Sequence, residues 1–378
     1  ERLGFELDDP DLNDQMYSTE FEGLSLALVG QGRGNDDTNL ADYIRSQFTG
    51  DAAIWKICAW HENQEEMQIG AKDDRMGWRV YETCRQFGAI IATANEHSYH
   101  RTHTLVNFEH QVRDPYWANR SSLRVAPGAS FAFVSGLGGA SVRDQLRCLP
   151  TAYPYGCFGE WASVYANDQG ATHGALFIVF NVDGDPYKAR GYFKNINGEV
   201  VDSFTITASK DILATTAVVR PVVADASVSA SDPTVNYGSD HALEVDGQPD
   251  KITYLRFDLT GINPASISWA ALRLFVTNRS DDEQIVRLAE ATDWDEATVT
   301  FDTRPGTTEP GSAIRGGRSN TWVEVNVTRA VQQAQGGTVT LAIESEFGDG
   351  IDYASREAPE GAAYLLLVVP TGTTGAGQ

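Results

Sequence analysis

Apolar residues recur with two different periods along this chain, and the change falls near residue 210. In the first part, short apolar runs alternate with stretches of helical period. "GLSLALVG" predicts a buried strand, "NLADYIRSQF" behind Asp36 and Asp37 a capped amphipathic helix, and "AIWKICAW" a second strand. "GWRVYETCRQF" predicts a helix that ends at Gly88, before the strand "AIIATA". This β-α-β-α-β order is that of a layered α/β sheet. Further strands are expected in "SFAFVSGLGG" and "HGALFIVFNV", and "ARGYFKNINGEVVDSFTI" reads as a hairpin turning at its Asn-Gly.

After "TASKDILATTAVVRPVVA" the helical period survives only in "VTRAVQQAQ". Short strands follow between Gly, Asn and Asp turns: "TYLRFDL", "AALRLFVTN", "TVTFDT", "TWVEVNV", "TVTLAIES" and "AAYLLLVV". Their spacing predicts an antiparallel β-sandwich of jelly-roll type. The expected layout is an α/β layered domain over 1–208, a linker over 209–222, an all-β sandwich over 223–370 and a flexible tail over 371–378.

Length and charge narrow the partners. A chain of 378 residues with 42% hydrophobic content is long enough for two ordinary cores. Its longest apolar run, "AAYLLLVV", suits a buried strand and is too short for a membrane span. The 52 acidic against 29 basic residues give a formal charge of −23, spread through both halves. Such a surface repels phosphate backbones, so nucleic acid is not expected as a partner, whereas hydrated cations such as calcium are compatible with it.

The four cysteines fit no Cys-x-x-Cys metal pattern. "CLPTAYPYGC" would close a short, turn-rich loop, so a Cys148–Cys157 disulfide is expected. Cys58 and Cys84 are either a second bridge or two buried thiols. Sequons at Asn119, Asn278 and Asn326 would accept glycans in a eukaryotic source. Together these features point to a secreted or cell-surface protein. The chain starts "ERLGFELDDPDLND", so a secreted form would have lost its leader before this numbering begins.

Candidate chemistry concentrates in "ATANEHSYHRTH", residues 92–103, with three histidines in seven positions. A histidine at a strand's carboxyl end sits where open α/β sheets place their sites. "KICAWH" delivers His61 there and "IIATANEH" delivers His97, so the two either share a metal or are solvated loop residues. His97, His100 and His103 would share a face on a helix, but the segment reads as a loop, and an independent zinc site is not expected.

Residues 1–208 resemble the C-terminal half of a calcineurin-like metallophosphoesterase of a secreted subgroup. The segments that carry the resemblance are "KICAWHENQ", "GWRVYETCRQFGAIIATANEHSYHRTH", "FAFVSGLGG" and "WASVYANDQGATHGALFIVFNVDGDPYKARGYFKNINGEVVDSFTI". The resemblance implies that His61 and His97 are metal ligands, for Zn, Fe, Mn or Mg. Ala94 and Asn95 replace the Gly and first His of the family's Gly-His-x-His, leaving Asn95 as a weaker oxygen ligand suited to magnesium or calcium. "HSYHRT" implies Tyr99 and Arg101 beside a phosphate, with a salt bridge as the plainer reading of Arg101. The family's N-terminal ligand segments are absent, so no catalytic residue is assigned and turnover would need the missing half. A sheet cut in this way exposes an edge that a partner chain, the missing segment or self-assembly must cover.

Residues 223–370 resemble a DNRLRE-type module, a β-sandwich attached to secreted polysaccharide-active enzymes. The carrying segments include "DASVSASDPTVNYGSDHALEV", "DWDEATVTFDTRP" and "GDGIDYASREAPEGAAYLLLVV". The resemblance implies a polysaccharide partner. Tyr237, Tyr254, Trp294, Trp322 and Tyr353 are the aromatic candidates for it, and Asp225, Asp240 and Asp352 are candidates for structural calcium. An acidic polysaccharide would need bridging calcium or a basic patch from Arg256 and Arg273. Three readings follow: a phosphoesterase fragment tethered to glycan, a non-catalytic structural subunit, or a carbohydrate-binding protein.

Overall fold

The computed structural model describes residues 16–30, 37–149 and 151–372, so the tail expected over 371–378 lies almost wholly outside the described residues. The chain divides into two units, 1–213 and 214–378.

The first unit is built on a seven-stranded mixed sheet. Its strands run in the order Met16–Phe21, Leu24–Val29, Trp55–Ala59, Ile90–Thr93, Ala132–Ser135, Tyr99–Thr102 and Trp161–Tyr165. The four from Leu24–Val29 to Ala132–Ser135 are parallel, and antiparallel strands complete both edges. The helices Asp37–Phe48 and Trp78–Gln86 cover one face, burying Leu40, Ile44, Phe48, Val80 and Tyr81 against Ala27, Cys58 and Ile91. On the other face, Trp55, Ile90 and Phe131 pack against Phe204 and Ile206 of a four-stranded sheet. That sheet contains the hairpin Lys188–Asn195 and Val200–Ala208, with Gly198 taking the positive φ of its turn. The Cys58–Cys84 bridge ties the parallel core to the second helix, and Cys148–Cys157 closes the turn-rich loop.

The second unit is an antiparallel β-sandwich. Leu272, Leu274, Leu365 and Leu367 of one sheet interdigitate with Leu255, Phe257, Leu341 and Ile343 of the other. The segment expected as a linker is mostly strand: Thr215–Ser229 is one continuous strand belonging to both sheets. Its first half pairs with Tyr364–Pro370 and its second with Asp250–Asp258, and a register shift between Val222 and Ala224 marks the crossing. Alternation fails as a guide here because the strand changes sheets midway, so its buried face changes with it. "TVTFDT" is also corrected: it forms a loop with a 3-10 turn at Phe301–Thr303, folded onto the outside of one sheet. Among the described residues no helix is long and apolar enough to cross a membrane.

Candidate functional site

In the first unit the ends of "KICAWH" and "IIATA" lie side by side, with Ala94 N donating to His61 O at 3.3 Å. His61 is exposed, and His97 Nδ1 lies 3.3 Å from Ser141 Oγ. Among the described residues no third imidazole, thiolate or carboxylate joins these two histidines within 4.8 Å. Asn95 is already engaged: it takes a positive φ, and both its backbone and its side-chain oxygens accept from Lys72 Nζ. An ammonium therefore occupies the lone pairs that the resemblance assigns to a metal. Lys72 lies 23 residues away in the chain, which is why spacing around the histidines did not reveal it.

"HSYHRT" is not a loop. It forms the strand Tyr99–Thr102, buried at every position inside the seven-stranded sheet. Arg101 is 0% exposed, and its guanidinium forks onto Asp202 through Nε–Oδ2 at 2.9 Å and Nη2–Oδ1 at 3.1 Å. Its remaining donors reach Thr102 O and Arg120 O, and it stacks 4.1 Å from the Phe204 ring centroid. Tyr99 Oη donates to the same Asp202 at 2.6 Å, and burial with the Asp202 charge holds its pKa well above the usual range. The phosphate role expected of Arg101 and Tyr99 is thus corrected to a buried ion pair, since the guanidinium is shut off from solvent and its paired face is taken by Asp202. His100 is buried against Trp161, and burial pushes its pKa down to about 3. His103 is pushed down to about 4 by burial and by Arg113, Arg101 and Arg120.

The second unit carries an open groove of about 430 Å³ beside the strands Ala242–Gly247 and Asp250–Asp258. Its wall is the Asn-Tyr-Gly loop. Asn236 Nδ2 donates to Glu296 O at 2.8 Å and Val299 O at 2.7 Å, which anchors the loop. Gly238 passes so close to the same backbone that a Cβ would sit 2.0 Å from Glu296 O. Between these two anchors Tyr237 projects into the groove, its Oη donating to Asp232 Oδ2 at 3.2 Å. The floor is polar: Glu244, Asp246 and Asp240 line it, and the Lys251 ammonium is bound to Glu244. Asp352, paired with Glu244 across the sheet, has its pKa raised by burial and by the Glu244 charge. The groove therefore offers one aromatic face, several acceptors and a lysine already paired.

The other aromatic candidates sit elsewhere. Tyr254 and Trp294 are packed together in a satellite core, with Tyr254 Oη on Pro305 O at 2.7 Å and Trp294 Nε1 on Thr340 Oγ1 at 3.1 Å. Tyr353 is 0% exposed and bonds Gln284. These three are core residues, not sugar platforms. Trp322 is half-buried, edge-on to Phe275 and Tyr364, and does not line the groove. The basic patch that an acidic polysaccharide would need from Arg256 and Arg273 does not form. Arg256 donates to Thr292 O and Trp294 O, and Arg273 is buried against Glu324. Nor are Asp225, Asp240 and Asp352 brought together: Asp225 clusters with Glu296 and Glu357, which sequence spacing did not single out. Its pKa is pushed up to about 7 by burial. Asn119, Asn278 and Asn326 are exposed.

Residues 216–369 match the model of carbohydrate-binding module family 96. One solved structure similar to the chain is described as a carbohydrate-binding module of the β-sandwich superfamily with promiscuous specificity. The identity is 11%, covering 55% of this chain and 88% of that chain, with a TM-score of 0.17, too low to bear on fold or ligand. No curated protein matches the chain.

Proposed function

We propose that the second unit is a glycan-binding module and that the Tyr237 groove is its binding site, with neutral or amino sugars as the preferred class. The observation that carries this reading is Tyr237 itself, held into an open polar groove by Asn236 and Gly238 within the segment matched by a carbohydrate-binding family. Sugar recognition combines an aromatic face with a few directional polar groups, and the groove supplies both. Its carboxylates outnumber its one lysine, which is itself paired, so a uronate chain would meet repulsion while hydroxyls and ammonium groups would find acceptors. No turnover is assigned to the first unit: Arg101 is buried and forked onto Asp202, and Lys72 occupies Asn95.

Affinity electrophoresis of the full chain through gels containing a neutral β-glucan, chitosan or alginate tests the reading. Retardation by glucan or chitosan, lost in Tyr237→Ala, is the expected result. Free migration in all three gels, or unchanged retardation of Tyr237→Ala, would overturn it.

A further inference from the structure

Three separated segments of the second unit each deliver one carboxylate to a common point. Asp225 comes from the strand Thr215–Ser229, Glu296 from the segment after Trp294 and Glu357 from the turn after Ser355; their oxygens lie within 4.8 Å of one another. Some of these oxygens are accounted for. Arg356 N donates to Asp225 Oδ2 at 2.8 Å, Asp225 N donates to Glu296 Oε1 at 2.7 Å, and Arg356 Nη2 lies 2.6 Å from Glu296 Oε2 and 2.9 Å from Glu357 Oε1. Two are not. Asp225 Oδ1 and Glu357 Oε2 are buried with no hydrogen-bond donor, and Asp225 is 1% exposed.

Three carboxyl groups face a single guanidinium, so the cluster is short of counter-charge. A buried carboxylate oxygen without a donor or counter-ion is costly, and such groups in native proteins are paired or coordinate a metal. The donor set is entirely oxygen, which selects a hard cation over zinc or copper. The ligands come from a strand, a loop and a turn with no common geometry, which favours calcium's flexible coordination over the near-octahedral demand of magnesium.

We propose that Asp225, Glu296 and Glu357 bind one calcium ion that clamps these three segments together. The site is separate from the Tyr237 groove, and its occupancy does not depend on the glycan reading. Chelator-stripped full chain, titrated with calcium chloride by calorimetry and by thermal melting, provides the test. Expected are one calcium per chain, a melting temperature that rises by a few degrees with calcium, and affinity weakened about tenfold or more in Asp225→Asn and in Glu357→Gln. The second variant lies on a partly exposed turn and serves if the first fails to fold. Asp246→Asn, in the groove, should keep the wild-type response. Absence of binding by the wild type at about 1 mM free calcium, the weak end of extracellular sites, would overturn the proposal. So would stoichiometric binding that survives both cluster variants.

Discussion

Lowering the pH from 7.5 to 5 should destabilise the first unit by way of two histidines that the fold buries uncharged. His100 titrates near 3 and His103 near 4, both below the 6.5 of an unhindered imidazole, with burial the larger cause in each. The unfolded chain therefore binds protons below pH 6.5 that the folded chain refuses. Stability from these groups is fully present above about 6.5 and is lost as the pH falls towards the folded values. At pH 5 the loss per histidine is about 1.4 kcal/mol times the logarithm of (1 + 10^1.5) over (1 + 10^(folded pKa − 5)), or about 2 kcal/mol for each and about 4 kcal/mol together. That is a large share of the roughly 5–15 kcal/mol typical of a domain. Urea denaturation at pH 7.5, 6 and 5 measures the sum, and His103→Phe should remove about half of the slope. Asp225, in the other unit, acts in the opposite sense, so the difference between wild type and variant is the quantity to read. Identical pH dependence in wild type and variant, or imidazole proton resonances with midpoints above about 6, would refute the reasoning.

Two further outcomes follow from side chains that the structure moved out of their expected roles. Asp202→Asn leaves the Arg101 guanidinium buried and half-paired, so it should cost about 3–5 kcal/mol in urea denaturation while glycan retention is unchanged. Trp294→Ala opens a cavity beside Tyr254 and strands the Thr340 hydroxyl, for about 3–5 kcal/mol of destabilisation; gel retention measured well below the melting temperature should persist.

Period and turn chemistry made much of the architecture legible. "GLSLALVG", "AIWKICAW", "AIIATA" and the helix "GWRVYETCRQF" all lie within a residue or a few of where their patterns put them, because each buries one uninterrupted apolar set. Where a segment serves two surroundings, the pattern misleads. The strand Thr215–Ser229 changes sheets at a register shift, and Tyr99–Thr102 hides an arginine and a histidine in a sheet interior. That burial is possible only because Asp202 arrives from 101 residues away, a partner no local window contains. The aromatic candidates divide for a related reason. Tyr237 sits in a polar, turn-forming Asn-Tyr-Gly and is pushed outward, whereas Tyr254 lies in an alternating strand whose outer face is roofed by the loop carrying Trp294.

Net charge was a poor guide to individual sites for the same physical reason. A formal charge of −23 describes the long-range field, yet the chemistry here turns on which carboxylates retain a counter-charge at hydrogen-bond distance. Asp202 and Asp114 are neutralised by Arg101 and Arg124 and become internal braces of the first unit. Glu244 has Lys251, which leaves the neighbouring Asp246 and Asp240 of the groove as acceptors for an incoming ligand. Asp225 and Glu357 share one arginine with Glu296 and are left with excess charge. Glu296 also connects this cluster to the groove, since its carboxylate accepts from Asp225 N while its backbone oxygen accepts from Asn236, the residue that positions Tyr237. A cation held by the cluster would thus restrain the backbone on which the aromatic wall of the groove is hung. Charge at one site and shape at the other are linked through a single residue.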